Sequence, residues 1–153
     1  HPCELPHKFE AGNLNVPAIF GLAAGVAYLK EQGCDQIRQY ETGLSKTLRQ
    51  GLREIEGVTI YGPEEGTDST AVVSFNLAGF QPQELATLLD SAFGIEVRAG
   101  LHCAPRMHQA LGTDASGGTV RISLGPFNIE DDVTTALEAV RQIASSSEDV
   151  LET

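Results

Sequence analysis

The chain has 153 residues, enough for one domain with a sizeable core and too few for two ordinary ones. Hydrophobic residues make up 41% and charged residues 20%, the balance of a globular chain rather than a disordered one, and no apolar run is long enough for a membrane span. The net charge of −11 argues against nucleic acid or an anionic membrane as partner, because both demand clustered Lys and Arg.

Residues 1–16 hold Pro2 and Pro6, show no sustained periodicity, and read as an extended linker. They lack the basic start and apolar stretch of a secretory signal, and they lack an initiator Met, as expected for a piece of something longer. Pro17 suits a first helical position, where its missing N–H costs nothing. From Pro17 to Leu29 the sequence is apolar nearly all round, which predicts a helix buried on most faces and closed by Gly33.

A second helix is expected from Asp35 to Ile55. Ile37, Tyr40, Leu44, Leu48, Leu52 and Ile55 recur at spacings of three and four, with Arg38, Glu41, Lys46, Arg49 and Arg53 on the other side. Val58–Tyr61 and the β-branched run Thr70–Asn76 read as strands around a Gly-Pro turn. A helix from Gln81 or Pro82 ends at Gly94, and Ile95–Arg98 is expected as a third strand. A short helix near Met107–Leu111, a fourth strand over Thr119–Leu124 and a final helix capped by Asn128 complete the order. Glu130, Asp131 and Asp132 fall in the first turn of that helix, where its dipole favours them. The expected fold is α+β: a small, mainly antiparallel sheet covered by helices on one side over 17–145, with a flexible polar tail at 146–153.

Three cysteines, at 3, 34 and 103, belong to no CxxC pair. That disfavours structural zinc and a disulfide framework, and fits a reducing cytoplasm. Cys103 stands apart for its neighbours: Gly100-Leu101-His102 before it, Ala104-Pro105-Arg106 and His108 after it. Thiolate is the reactive form of cysteine, and cations or a helix start nearby favour it. On local residues alone, a nucleophile and a small apolar filler weigh evenly. His102 reads as a surface or hydrogen-bonded histidine, and the spacing of His102, Cys103 and His108 fits no common metal pattern. Arg98 and Arg121 each lie on a strand. Either they face solvent, or they offer planar forks to a carboxylate or phosphate.

Three segments then carry a resemblance. Phe9-Glu10-Ala11-Gly12-Asn13-Leu14-Asn15 before an apolar helix resembles a segment of the class V aminotransferases. Gly94-Ile95-Glu96-Val97-Arg98-Ala99-Gly100-Leu101-His102-Cys103-Ala104 resembles the cysteine loop of the cysteine desulfurases, in particular the group whose loop reads RxGHHCA. Gly118-Thr119-Val120-Arg121-Ile122-Ser123, with Phe127-Asn128 following, is similar to the last strand and helix of that family. The resemblance runs in order from about residue 5 to 145.

It implies the small C-terminal domain of a fold-type I enzyme dependent on pyridoxal 5′-phosphate (PLP), which converts cysteine to alanine with transfer of sulfur to a protein thiol. Cys103 then matches the persulfide-bearing cysteine, and Arg121 the arginine that holds the substrate carboxylate. Arg98 and His102 match loop residues flanking the substrate. Gly12 and Asn13 match a segment that reaches the cofactor phosphate of the neighbouring subunit in a homodimer. A sulfur-acceptor protein is the implied partner.

Leu101 departs from the loop pattern, where the closest group has histidine, and Asn13 stands in place of threonine. The lysine that holds the cofactor belongs in the family to a larger upstream domain. His7-Lys8 mimics its motif but runs straight into Phe9-Glu10-Ala11-Gly12, so Lys8 is read as a linker residue. The fragment alone is therefore expected to be inactive. The alternatives are a selenocysteine lyase, an aminotransferase-like relative that leaves Cys103 unused, and a free-standing sulfur-acceptor or interaction domain.

Overall fold

The computed structural model describes residues 3–9, 12–63, 67 and 69–151, with side chains placed up to 146. The chain divides into two compact units, His1–Ile37 and Arg38–Thr153. Glu10 and Ala11 of the first resembling segment lie outside the described residues.

The first unit holds a 3-10 turn at His7–Phe9, the helix α1 (Val16–Gln32) and the first turn of α2 (Cys34–Arg53). Asn15 caps α1: its side-chain oxygen accepts the Ala18 N–H at 3.1 Å and satisfies one of the donors a helix start leaves open. Gly33, at φ +80°, closes the other end by donating to Leu29 O at 3.0 Å. No residue of α1 is buried, and Phe20 and Leu22 are 72% and 70% exposed. The burial expected of this helix is not found at its residues. Among the described residues no helix is long and apolar enough to cross a membrane.

The second unit is an α+β domain. Its four antiparallel strands are β1 (Val58–Tyr61), β2 (Val72–Leu77), β3 (Arg98–Gly100) and β4 (Thr119–Ser123), in the spatial order β1-β2-β4-β3. Side chains alternate across a strand, so Val73, Phe75 and Leu77 of β2 share one face with Val120 and Ile122 of β4. That face meets Leu44, Leu48 and Leu52 of α2, Leu85 and Leu89 of α3 (Pro82–Phe93), and Val133, Leu137 and Val140 of α5 (Glu130–Leu151). Most of these side chains are almost wholly shielded, and burial of each contributes about 1.5–3 kcal/mol of transfer free energy.

The third strand begins later than its sequence suggests. Gly94 takes a left-handed φ of +66° and donates to Asp90 O, while Ile95 donates to Leu89 O at 3.0 Å. These two bonds close α3 and commit the Ile95 N–H to the helix. Ladder pairing with β4 starts only at Arg98.

The start of α5 also departs from expectation. Asn128 Oδ1 turns back to accept the Gly125 N–H at 2.9 Å instead of capping the helix. The Asp132 carboxylate caps it, accepting from Ile129 N–H and from Asn128 Nδ2, both at 3.0 Å. These two donors hold the Asp132 carboxyl below the usual carboxylate range. At the other end, α5 continues to Leu151.

Candidate functional site

The sheet face turned away from the core is polar. In register, Arg98 of β3 lies opposite Arg121 of β4, and Arg121 lies opposite Ser74 of β2. Paired residues on neighbouring strands share a face, so the two guanidinium groups rise side by side from one surface. Like charges directly opposite each other destabilise a sheet unless an anion answers them. Arg98 is exposed, whereas Arg121 is half-buried and its Nε is buried without a hydrogen-bond partner. An orphaned buried donor costs about 1–3 kcal/mol and calls for an explanation such as a ligand.

The end of β3 delivers the chain into a tight turn. Gly100 has φ +108°, and His102 and Cys103 follow at +49° and +59°. Two consecutive non-glycine residues in left-handed conformation cost on the order of 1–3 kcal/mol each and cluster at functional sites. The turn is closed by Ala104 N–H donating to Leu101 O at 2.7 Å, and it runs into α4 (Pro105–Leu111). Strand alternation therefore does not govern the relation of His102 to Cys103. Cys103 is exposed at the tip, ahead of the first turn of α4.

His102 turns inward and is half-buried. Its Nε2 shares a hydrogen bond with Thr119 Oγ1 at 3.2 Å, and Thr119 is 1% exposed at the start of β4. Burial, and then the positive charge of Arg121, hold the His102 pKa below its ordinary value; the hydrogen bond to Thr119 opposes them, and His108 and Arg98 add smaller lowering effects. The ring is thus kept neutral near pH 7. Its Nδ1 is buried and unpartnered.

His108, a near neighbour of Cys103 in sequence, is 3% exposed, with Nδ1 2.8 Å from Thr113 Oγ1. Two further contacts hold β4 against the turn. Asn76 Nδ2 donates to Gly118 O at 3.0 Å, and the Gly118 backbone packs against that of Gly100 so closely that a Cβ there would overlap the Gly100 carbonyl. Asn76, Thr113 and Thr119 were not evident as site residues. Thr113 and Thr119 are marked in sequence only by their position beside Gly112 and Gly117-Gly118, and Asn76 by nothing beyond its place on β2.

Arg98 and Arg121 thus share one sheet face, His102 lies within their electrostatic reach, and Cys103 follows His102 in the turn beyond β3. Gly12 and Asn13 lie in the first unit, both exposed, and a Cβ on Gly12 would meet nothing. Covalent attachment of PLP needs a lysine amine. The second unit has one lysine, Lys46, exposed on the wet side of α2, and Lys8 and Lys30 belong to the first unit, where both are exposed. The second unit therefore brings two guanidinium groups and a thiol to this region, and its single lysine, exposed on α2, does not fit the covalent anchor of the cofactor. Among the described residues, no group of His, Cys, Asp and Glu side chains is placed to hold a metal ion.

A polar arginine pair beside an exposed thiol, on a four-stranded antiparallel sheet backed by helices, agrees with one family. Residues 3–135 match the aminotransferase class-V family model, and the chain belongs to that family. It is 38% identical over 139 residues to a probable cysteine desulfurase of Synechocystis, covering 90% of this chain and 32% of that protein. To a probable cysteine desulfurase of Xylella fastidiosa strain Temecula1 it is 40% identical over 141 residues, with the same coverages. Among solved structures, the apo cysteine desulfurase of Thermococcus onnurineus superposes with a TM-score of 0.84 at 38% identity, over 92% of this chain and 34% of that one. The cysteine desulfurase CsdA of Escherichia coli superposes with a TM-score of 0.80 at 27% identity, over 95% and 36%. The chain spans about a third of the length of these relatives.

Proposed function

We propose that this chain is the small domain of a PLP-dependent cysteine desulfurase and that Cys103 is the thiol that receives sulfur. One observation carries the reading: an in-register arginine pair, with the buried Arg121 Nε lacking a partner, stands beside a strained turn that exposes Cys103. Probable cysteine desulfurases among the relatives support it.

The Arg121 guanidinium binds the substrate carboxylate through paired N–H groups, a geometry that Lys cannot reproduce. Arg98 adds a second positive charge from the exposed side. With the carboxylate so held, the amino acid is oriented for its sulfur to meet Cys103. His102, neutral and tied to Thr119, packs beside the arginines without adding a third cation. PLP, when bound, supplies an electron sink for the amino acid. The Cys103 thiolate attacks the substrate sulfur; a sulfur–sulfur bond forms, the carbon–sulfur bond breaks with its electron pair left on carbon, and uptake of a proton at that carbon gives alanine and a persulfide on Cys103.

The cofactor would be anchored by a lysine outside these 153 residues, with Gly12 and Asn13 in contact with its phosphate across a homodimer. A sulfur-acceptor protein would then take the persulfide sulfur, in the cytoplasm. The test is peptide mass spectrometry on the full-length gene product after incubation with cysteine and PLP. One additional sulfur atom on the Cys103 peptide is expected. Undiminished cysteine turnover in Cys103→Ala would overturn the assignment.

A further inference from the structure

His108 is the one buried imidazole in the neighbourhood of Cys103, and the chemistry above gives it no part. It sits on α4 one turn beyond the cysteine turn, and its backbone N–H donates to Ala104 O at 3.2 Å. Its Nδ1 meets Thr113 Oγ1 at 2.8 Å, and Thr113 is itself only 2% exposed. Thr113 also binds the backbone on both sides: its N–H donates to His108 O at 2.9 Å, and its carbonyl accepts from Gly118 N–H at 2.8 Å. The His108 ring lies 5.6 Å from the His102 ring, tilted by 47°. On its other side His102 bonds to Thr119.

We propose that His108 is a positioning residue: fixed by Thr113, its ring pins His102 against Thr119 and so holds the left-handed turn that presents Cys103.

The physical need is plain. His102 and Cys103 both occupy a backbone region that their side chains disfavour, and such a turn persists only where its surroundings over-determine it. The Leu101–Ala104 hydrogen bond closes the turn but does not set its orientation on the sheet. Orientation comes from the side chain of His102, whose freedom is limited by Thr119 on one side and His108 on the other. A fully shielded hydroxyl at Thr113 with an imidazole partner is a costly pair to bury unless each satisfies the other, which makes the His108 ring position well defined. The inference rests on the reading of Cys103 as the sulfur acceptor for its purpose. The test, however, measures the geometry of the turn and not turnover, so the two can fail separately.

The 153-residue chain itself serves, observed by NMR. In Thr113→Val and in His108→Phe, which keeps ring volume, the His102 ring becomes better solvated. Its titration midpoint is expected to rise toward that of an ordinary histidine, by roughly half a pH unit or more. The titratable and charged groups facing His102 are Arg121, Arg98 and His108 itself, so Thr113→Val is the cleaner variant because it leaves all three in place. The Ala104 amide, bonded to Leu101 in the turn, is expected to exchange about tenfold faster in both variants. Thr113→Ser, which keeps the hydroxyl, should restore both wild-type values. If His108→Phe fails to fold, the Thr113→Val and Thr113→Ser pair decides. An unchanged His102 midpoint and Ala104 exchange in folded Thr113→Val would show that His108 merely fills space, and the proposal would fall.

Discussion

At the residue scale, the site depends on two arginines that sheet pairing brings into register and on a cysteine that a strained turn exposes. Arg121→Lys removes the planar fork but keeps the charge. It should weaken cysteine binding by about 1.5–3 kcal/mol, read as the dissociation constant in the full-length enzyme. His102 gives a pH dependence whose sign is fixed by its lowered pKa. Below pH 6.5 the unfolded chain binds a proton that the folded chain resists, so stability is complete above 6.5 and declines as pH falls through the lowered value. An NMR titration should place the His102 midpoint below 6.5, and His102→Asn should remove that component of acid sensitivity. A midpoint at or above 6.5 would mean that the ring is not desolvated as described. The placing of Arg98 and Arg121 on strands and of Cys103 in the loop beyond was legible in sequence. Thr113, Thr119 and Asn76 were not. Their importance lies in contacts across the turn and sheet that no local pattern encodes.

At the scale of elements, local chemistry was read well wherever one signal dominated. The short strand Val58–Tyr61 and the stop at Gly94 came out as expected, from β-branched residues and from a glycine free to adopt positive φ. Errors arose where two devices competed for the same backbone group. Ile95 looks like the start of a strand, yet its N–H closes α3, so β3 shrinks to Arg98–Gly100. Asn128 looks like a helix cap, yet its side chain serves Gly125 and leaves capping to Asp132. The contact between β3 and β4 is the most sensitive junction. Gly118 combines a φ of +97° with backbone-to-backbone packing on Gly100. Gly118→Ala should therefore destabilise the domain by about 2 kcal/mol or more in chemical denaturation, since the clash is with main chain that cannot rotate away. Gly125→Ala, where a Cβ meets only Asn128 Oδ1 at 4.0 Å, should stay within about 0.5 kcal/mol of wild type.

At the scale of the whole molecule, every residue of the hydrophobic core falls between Leu44 and Ile143, inside the second unit. Deleting residues 1–33 should therefore leave the denaturation midpoint of the sheet domain nearly unchanged, and a large loss would show that α1 supports that core. The α+β class and the small antiparallel sheet were legible because alternating and helical periodicities separate cleanly along this stretch. The exposure of α1 was not, since an apolar composition says only that a helix needs cover. In the chemistry, the second unit carries both arginines and the thiol, and its one lysine, Lys46, is exposed on α2. Most direct for the central claim is the fate of sulfur in the full-length protein supplied with PLP and cysteine. Mass spectrometry should find one extra sulfur atom on the peptide bearing Cys103, removable by a thiol reductant, with alanine formed in step and turnover lost in Cys103→Ala. Alanine formation at the wild-type rate with Cys103 replaced, or the extra sulfur found on Cys3 or Cys34 instead, would contradict the account.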